Sequence, residues 1–487
     1  MGLPVFTPDQ KGDCLTGPRN RSVGGVRDWV RTNSDILPAM AVGAVLRVTL
    51  AAAAFILTGT GVITQGDTAS YVVPGRNLIL HGAYITNGLP EIDRTPGYSI
   101  FVAISGMLFG NVLLVIMIQI ALSMISLVLI HNIARRTFPN CRAGAIATWL
   151  YACEPVSILY TARLMPETLF AVLILAMIDR LLAFYSTSKL SILVAAALAL
   201  AGATYVRPVS YYLVFPLAAA LAVVFHRRPE IRWKAPAVLL LIVVPLLAAW
   251  QLRNKIETGY GGFSSIVEQN LYFFQSAELT AELQHTSLDA EQKKLGYPDE
   301  TSYFAAHPEQ RLWSEAQRLH FMHAEAVRIL SQNRWLYLKS HLTGVGIVAL
   351  TPCAAEFLEL INAFPPDGQM PARIINEGIL ASVKNSAARY PHMAIIKSLF
   401  ELYLLFLYIF AAKGIFLRQR TRFSIPTLVG IALYFLIISG GAQAVGRYRT
   451  PVMPELCVLA AGGVATFRKR EGRSRNDLAH TPRISLV

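Results

Sequence analysis

The sequence predicts an all-α polytopic membrane protein, and its composition and patterning lead to that class. Of its 487 residues, 54% are hydrophobic and only 15% are charged, whereas about a quarter of a soluble protein is charged. The mean hydropathy is +0.45. Long apolar runs alternate with polar segments, and a helix satisfies its own backbone hydrogen bonds inside a bilayer. We therefore expect a bundle of about ten membrane-spanning helices.

A membrane span needs about twenty apolar residues, and the predicted spans are the runs that meet or approach this length. They are 37–63, 111–133, 141–160, 166–185, 190–206, 209–226, 235–252, 396–416, 423–440 and 451–467. Arg47 lies inside the first run, and the cost of a charge in lipid predicts that it faces the bundle or reaches the membrane surface. Residues 335–352 are ambiguous, and we interpret them as an interfacial helix that does not cross.

The polar segments between these runs divide the chain into predicted regions. In order they are a cytoplasmic tail at 1–36, a helix bundle at 37–252, an extracytoplasmic insert with interfacial helices at 253–394, further spans at 395–467 and a basic cytoplasmic tail at 468–487. The first tail lacks the apolar core and cleavage site of a signal peptide. No disulfide framework or metal site is indicated, because the five cysteines are scattered without ligand spacing.

The net charge of +14 orients the chain in the membrane. Its basic residues gather at the ends of apolar runs, as in cytoplasmic loops, and not in a patch with interleaved aromatics. This distribution predicts contact with membrane lipids and excludes a nucleic-acid partner. It also predicts an integral protein of the plasma (inner) membrane with both termini inside.

That orientation gathers acidic and basic side chains on the outer face. The polar loop 64–96 is the largest contributor, and the apolar helix 97–109 that follows is too short to cross and is expected at the interface. Members of this outer set are Asp67, Asp93, Arg94, Glu167, Arg207, Arg253, Arg447 and Arg449. A carboxylate can take a proton from an attacking hydroxyl, and arginines can clamp a phosphate bidentately. A lipid phosphate-sugar presents such a phosphate at the membrane surface.

Several of these residues lie in motifs that resemble the GT-C glycosyltransferases. The motifs are Asp67 with Tyr71, His81-Gly82-Ala83-Tyr84, Arg94-Thr95-Pro96-Gly97-Tyr98, Pro155 with Met165-Pro166-Glu167-Thr168-Leu169-Phe170, Tyr205-Val206-Arg207-Pro208, Trp250-Gln251-Leu252-Arg253-Asn254 with Gly259, and Gly446-Arg447-Tyr448-Arg449-Thr450-Pro451 with Pro454. The resemblance covers most of residues 40–467. It is closest to the bacterial group of protein O-mannosyltransferases and lipid A aminoarabinose transferases, which is glycosyltransferase family 39-like.

The resemblance implies a role for each candidate residue. Asp67 would be the catalytic base, and Glu167 would position the acceptor or the sugar. The donor phosphate would be bound by Arg94, assisted by Arg207 and by Arg447 or Arg449. Glu167 departs from relatives that have Asp there, which leaves its exact role open.

The remaining candidates are implied to line the substrate cavity. These are Tyr71, Asp93, Tyr98 and Arg253. The resemblance fixes no cofactor and leaves a divalent metal open, with Asp93 as its candidate ligand. The implied partners are a polyprenyl phosphate-sugar donor and a glycolipid, glycan or protein acceptor.

Simpler interpretations stand beside these roles. Asp67 and Glu167 also suit helix N-termini, and the arginines suit membrane-interface anchors. His320 and His323 have metal-ligand spacing but fit a solvated helix surface better. A secondary transporter or lipid flippase is the alternative function, although such proteins usually show internal repeats and ionisable residues near the midplane. A lipid-linked polymer ligase is a third interpretation.

Overall fold

The fold is built almost entirely from helices. A computed structural model describes residues 30–31, 33–64, 66–106, 110–139, 142–364, 389–417 and 422–479, with side chains described as far as residue 466. Parts of four predicted segments therefore lie outside the described residues: the N-terminal tail, the end of helix 97–109, the insert at 365–388 and the last eight residues.

The first half of the chain carries most of the bundle. Its helices are α1 (Leu37–Thr58), α2 (Thr68–His81), α3 (Pro96–Ser105), α4 (Val112–Thr137), α5 (Arg142–Ala152), α6 (Pro155–Thr161), α7 (Glu167–Thr187), α8 (Leu190–Val206), α9 (Val214–Val224), α10 (Pro229–Arg232) and α11 (Lys234–Thr258). A two-stranded antiparallel hairpin, β1 (Ile85–Thr86) and β2 (Leu89–Pro90), lies between α2 and α3. A 3₁₀ turn at Pro208–Leu213 leads into α9.

The second half adds an insert and the last helices. They are α12 (Ile266–Asn270), α13 (Ala277–Gln284), α14 (Leu288–Lys294), α15 (Glu300–Ala306), α16 (Glu315–Gln332), α17 (Arg334–Leu350), α18 (Ala354–Leu360), α19 (Pro391–Ile415), α20 (Ser424–Ile438) and α21 (Met453–Ala479). A π-helical segment, Leu271–Ser276, joins α12 to α13, and 3₁₀ turns occupy Pro308–Gln310 and Gly446–Val452.

Two apolar cores organise these helices. The larger extends through the bundle from Ala39 to Ala461, with α7 packed along α8 and α19 along α21. The smaller lies in the insert, where Tyr272, Phe273 and Tyr303 pack against residues of α16. The insert therefore has an apolar core made mainly of its own residues, joined by Ile92 from the segment before α3.

The helical polytopic fold is confirmed, while the number of spans stays a prediction. Among the described residues, five helical segments are long and apolar enough to cross a membrane: Leu37–Thr58, Val112–Thr137, Glu167–Thr187, Pro229–Thr258 and Pro391–Ile415. Helices α17 and α18 pass the same test together but are bent by 53°, as in a broken span or a re-entrant loop. Helices α8 and α20 and the segment Pro208–Val224 are apolar but shorter.

The predicted span 141–160 is not one continuous helix. It breaks between α5 and α6, because Pro155 has no N–H to continue the ladder. The Glu154 side chain accepts hydrogen bonds from the N–H groups of Val156 and Ser157 and so begins α6. Arg47, fully buried, donates to the carbonyl oxygens of Tyr151 and Ala152 at the end of α5. The expectation that Arg47 faces the bundle is therefore correct.

The segment predicted as the polar loop 64–96 is largely folded. Helix α2 and the hairpin occupy most of it, and α3 begins at Pro96. Glycines bring these elements close together. A Cβ on Gly75 would lie 2.2 Å from the carbonyl oxygen of Ser99, and one on Gly97 would lie 2.6 Å from the backbone of Tyr205. Helix α3 is thus held between α2 and α8, directly behind the outer set of charged residues.

Candidate active site

Five charged side chains from distant parts of the sequence form one chain of ion pairs. Arg94 Nη2 lies 2.9 Å from Asp67 Oδ1, and Arg447 Nη2 lies 3.3 Å from Asp67 Oδ2. Arg447 Nε is also 4.0 Å from Glu167 Oε1, which pairs in turn with Arg207 Nη1 at 3.2 Å. Three guanidinium groups and two carboxylates therefore meet in one place, with a net charge of +1 (three minus two).

Asp67 occupies the N-cap position of α2 but does not cap it. Its side chain accepts no hydrogen bond from the first turn of the helix, so the simple capping interpretation is not supported. The carboxylate faces the two arginines instead, and its side chain is 34% exposed. Burial acts to raise the pKa of Asp67, but the charges of Arg94 and Arg447 outweigh it and hold that pKa below its ordinary value.

Arg94 is positioned by a turn that the sequence did not single out. The Glu91 carboxylate accepts hydrogen bonds from the N–H groups of Asp93 and Arg94, at 2.8 and 2.9 Å. The Arg94 guanidinium then donates to Ser70 Oγ at 3.0 Å. Glu91 is 8% exposed. An acidic residue two to three positions before a functional arginine is the signal that could have identified it.

Glu167 is the buried member of the site. It is the first residue of α7 and is only 1% exposed. Its Oε1 faces Arg207, whereas its Oε2 has no hydrogen-bond partner in the described part of the chain. Arg207 lies where α8 ends and the 3₁₀ turn begins.

Aromatic rings support the guanidinium groups. Arg94 lies 4.9 Å from the Tyr71 ring centre, and Arg207 and Arg447 lie 5.6 and 5.3 Å from the Tyr448 ring centre. Such contacts favour a fixed cation over an aromatic face. Tyr448 was quoted within a motif but was not predicted as a site residue.

Tyr98 lies behind the charged groups and not among them. It is fully buried, packs edge-on against Tyr71 at 5.1 Å and donates from its hydroxyl to Gln119 Oε1 at 2.8 Å. This position makes Tyr98 a support for Tyr71 from the bundle side. A buried Tyr98 that is bonded to Gln119 does not favour the predicted contact between Tyr98 and the substrate.

Arg449 is separated from the other arginines. It is 2% exposed, and its Nη1 donates to the carbonyl oxygens of Val348, Ala349 and Thr351 at 2.7, 3.0 and 3.2 Å. These carbonyls lie at the C-terminal end of α17, where no further turn of the helix supplies N–H partners. A 3₁₀ turn has about three residues per turn, so Arg447 and Arg449 point in different directions. Of the predicted pair, the structure brings only Arg447 to the site.

Arg253 and Asp93 hold the site together from outside. Arg253 donates to the backbone oxygens of Glu91 and Tyr84 at 2.7 and 2.8 Å, which ties α11 to the hairpin. Asp93 Oδ1 accepts from Ser265 Oγ and from Gln269 Nε2, the latter at 2.7 Å. Both side chains therefore fix the insert against the loop and turn away from the ion-pair chain.

The metal alternative gains no support from these positions. No group of three or more His, Cys, Asp or Glu side chains within the described ranges has a metal-binding arrangement. His323, on α16, is half exposed, and its Nδ1 lies 3.9 Å from Oε1 of Glu268 on α12. This exposure is expected for a solvated helix surface.

A family comparison gives the class of protein to which this fold and site are similar. Residues 93–251, about a third of the chain, match the family described as dolichyl-phosphate-mannose-protein mannosyltransferase. The match confirms the predicted resemblance to the GT-C superfamily of membrane glycosyltransferases. It includes Arg94, Glu167 and Arg207, whereas Asp67 and Arg447 lie outside it. No curated protein matches the sequence significantly.

Solved structures show weaker likenesses. The archaeal oligosaccharyltransferase AglB from Archaeoglobus fulgidus, in complex with an inhibitory peptide and a dolichol-phosphate, is 13% identical, with a TM-score of 0.46. The match covers 94% of this chain and 53% of AglB, so the chain spans about half the length of that enzyme. ArnT from Cupriavidus metallidurans, bound to undecaprenyl phosphate, is 13% identical over 91% of this chain and 81% of ArnT, with a TM-score of 0.35. With TM-scores of 0.46 and 0.35 and 13% identity, these two similarities do not indicate the function of this chain.

Proposed function

We propose that the protein is an inverting glycosyltransferase that moves a sugar from a polyprenyl phosphate-linked donor to an acceptor hydroxyl at the outer face of the plasma membrane. The observation that carries this proposal is the ion-pair chain through Asp67 and Arg447. It brings a carboxylate that can act as a base next to arginines that can hold a phosphate.

The charge of the site supports the class of donor. The five side chains have a net charge of +1, and a sugar phosphodiester carries one negative charge. Arg94 and Arg447 lie on either side of the Asp67 carboxylate, so both can reach a phosphate bound in front of it. Arginines held over aromatic faces keep their charge and geometry, which is what electrostatic stabilisation of a leaving phosphate requires.

The proposed reaction is a single displacement. Asp67 takes the proton from the acceptor hydroxyl, and the acceptor oxygen forms a bond to the anomeric carbon. The bond from that carbon to the phosphate oxygen breaks on the opposite face, and its electron pair leaves with the polyprenyl phosphate. Arg94, Arg207 and Arg447 stabilise the second negative charge that develops on this phosphate. The anomeric configuration is inverted because only one displacement occurs.

The acceptor and the sugar are left as classes. The acceptor is an envelope glycolipid such as lipopolysaccharide, another glycan or a protein, and the sugar is a hexose or a pentose. The family match to protein mannosyltransferases supports a lipid-phosphate donor, and an insert with its own core next to the site offers a surface for the acceptor.

The test compares envelope glycans and polyprenyl phosphates by mass spectrometry. Cells carrying a deletion, the wild-type chain, Asp67→Asn or the control Asp289→Asn are compared. Asp289 is an exposed acid on α14 that pairs with Lys293 at 2.8 Å. We expect one sugar to disappear from its acceptor and its donor to accumulate in the deletion and in Asp67→Asn but not in the control. Normal glycans in Asp67→Asn would contradict the mechanism, and counterflow of a substrate without bond formation would favour transport.

A further inference from the structure

Both oxygens of the Asp67 carboxylate are already occupied by guanidinium groups. Oδ1 accepts from Arg94 at 2.9 Å and Oδ2 from Arg447 at 3.3 Å. A carboxylate in charge-assisted bonds with two cations is a poor proton acceptor, because protonation would remove the negative charge that strengthens both bonds. The proposed base and the proposed phosphate therefore require the same two arginines.

Arg447 has a second carboxylate within reach. Its Nε lies 4.0 Å from Glu167 Oε1. In the described part of the chain that Nε donates no hydrogen bond, and Glu167 Oε2 accepts none, although both atoms are buried. A buried polar atom without a partner is costly. Arg447 can thus exchange its bond to Asp67 for a closer pair with Glu167, and the exchange satisfies two atoms that are otherwise unpaired.

Arg94 is held in place independently of Asp67. Its Nε donates to Ser70 Oγ at 3.0 Å, and its guanidinium lies over the Tyr71 ring. It therefore keeps its position when its bond to Asp67 is replaced. Arg94 is the fixed partner of the carboxylate, and Arg447, shared between two carboxylates at 3.3 and 4.0 Å, is the movable one.

We infer that the donor phosphate releases the base, an inference that rests on the proposed function. Phosphate oxygens accept from Arg94 and Arg447 in place of Asp67, and Arg447 closes on Glu167 as it turns. Asp67 loses its two bonds and becomes free to accept the proton of the acceptor hydroxyl. Glu167 is then a positioning residue for Arg447, and the base is available only when a donor is bound.

Competition between Asp67 and phosphate has an unusual consequence for binding. Removing a catalytic carboxylate by Asp67→Asn should strengthen phosphate binding, because the arginines lose their internal competitor. We expect the dissociation constant of farnesyl phosphate, a short polyprenyl monophosphate, to fall about tenfold in detergent-solubilised full chain. Farnesol, which lacks the phosphate, should bind all variants alike and so reports on the tail alone. Titration with inorganic phosphate shows whether the tighter binding needs the phosphate alone or also the lipid tail.

The matched control is Glu359→Gln. Glu359 also pairs with an arginine, Arg163, at 3.0 Å, and the substitution removes the same charge. We expect its affinity for farnesyl phosphate to equal that of the wild type. Unchanged or weaker binding in Asp67→Asn, or equal tightening in Glu359→Gln, would overturn the inference. Asp67→Ser provides a second carboxylate-free variant if the Asn form does not fold.

The role of Glu167 is tested by Glu167→Gln. Without a charged second partner, Arg447 remains on Asp67, so turnover at saturating donor should fall in Glu167→Gln even where donor still binds. An unchanged turnover number would exclude the positioning role. Failure of this inference and failure of the proposed function give different results: tighter binding of farnesyl phosphate in Asp67→Asn, with no sugar transfer by the wild type, would leave the competition intact and reject the transferase. Sugar transfer by the wild type, without tighter binding of farnesyl phosphate in Asp67→Asn, would support the transferase and reject the competition.

Discussion

Two buried arginines show how this protein tolerates charge inside its bundle. Arg47 donates to backbone carbonyls where α5 ends, and Arg449 donates to those where α17 ends. Both have several donors in a fixed fork, which suits several carbonyl acceptors at once. Each charge is thus used to complete a broken helix end, and neither arginine is available to a substrate.

The two neighbouring arginines should respond oppositely to the same substitution. Arg449→Lys removes the guanidinium that donates to three carbonyls at the end of α17 and should lower the free energy of unfolding by about 1–3 kcal/mol. Arg447→Lys keeps a charge in a half-buried position and should weaken farnesyl phosphate binding with little change in stability. Thermal unfolding in detergent and ligand titration measure the two effects. Loss of phosphate affinity in folded Arg449→Lys would restore its predicted role in donor binding.

At the scale of elements, the site depends on where helices stop. Asp67, Glu167 and Arg207 each lie at a helix terminus, and Arg447 lies in the 3₁₀ turn before α21. Interruptions of the bundle therefore place polar groups where continuous helices would place apolar ones. Pro155, Pro166 and Pro208 mark three of these interruptions in the sequence.

The turn that carries Arg447 is packed tightly against the bend between α17 and α18. A Cβ on Gly446 would lie 2.4 Å from the Thr351 carbonyl oxygen, which also accepts from Arg449. Gly446→Ala should therefore displace the turn, cost about 1–3 kcal/mol of stability and reduce turnover by moving Arg447.

Gly430→Ala is the control for this substitution. A Cβ at Gly430, in the middle of α20, meets no other atom within 4 Å. Alanine is the better helix former, so this variant should be as stable as the wild type or slightly more stable. Equal behaviour of the two variants, in thermal unfolding and in sugar transfer, would show that the close approach at Gly446 is not needed.

At the scale of the whole molecule, the orientation in the membrane decides which compartment the site faces. Leu312, in a turn of the insert, is 97% exposed, and Arg227 lies in an exposed basic loop predicted to be cytoplasmic. In a chain without its native cysteines, Leu312→Cys should react with an impermeant maleimide in intact spheroplasts. Arg227→Cys should react only after permeabilisation. The reverse pattern would place the site in the cytoplasm.

The sequence alone determined the fold class of the protein and named most residues of the candidate site. Low charge, long apolar runs and the one-sided distribution of basic residues are properties of composition, and they need no tertiary contact to be read. The motifs around Asp67, Arg94, Glu167, Arg207 and Arg447 were each quoted from the sequence, and the structure brings these five together.

Only the tertiary structure decided how those residues divide their tasks. Arg449 lies two positions from Arg447, and only the carbonyls of a helix a hundred residues earlier in the chain show that it is structural. The double pairing of Asp67 with Arg94 and Arg447 likewise depends on contacts between distant segments. Sequence patterns report local periodicity and charge, whereas the partner of each buried charge is set by which helix ends meet in the folded bundle.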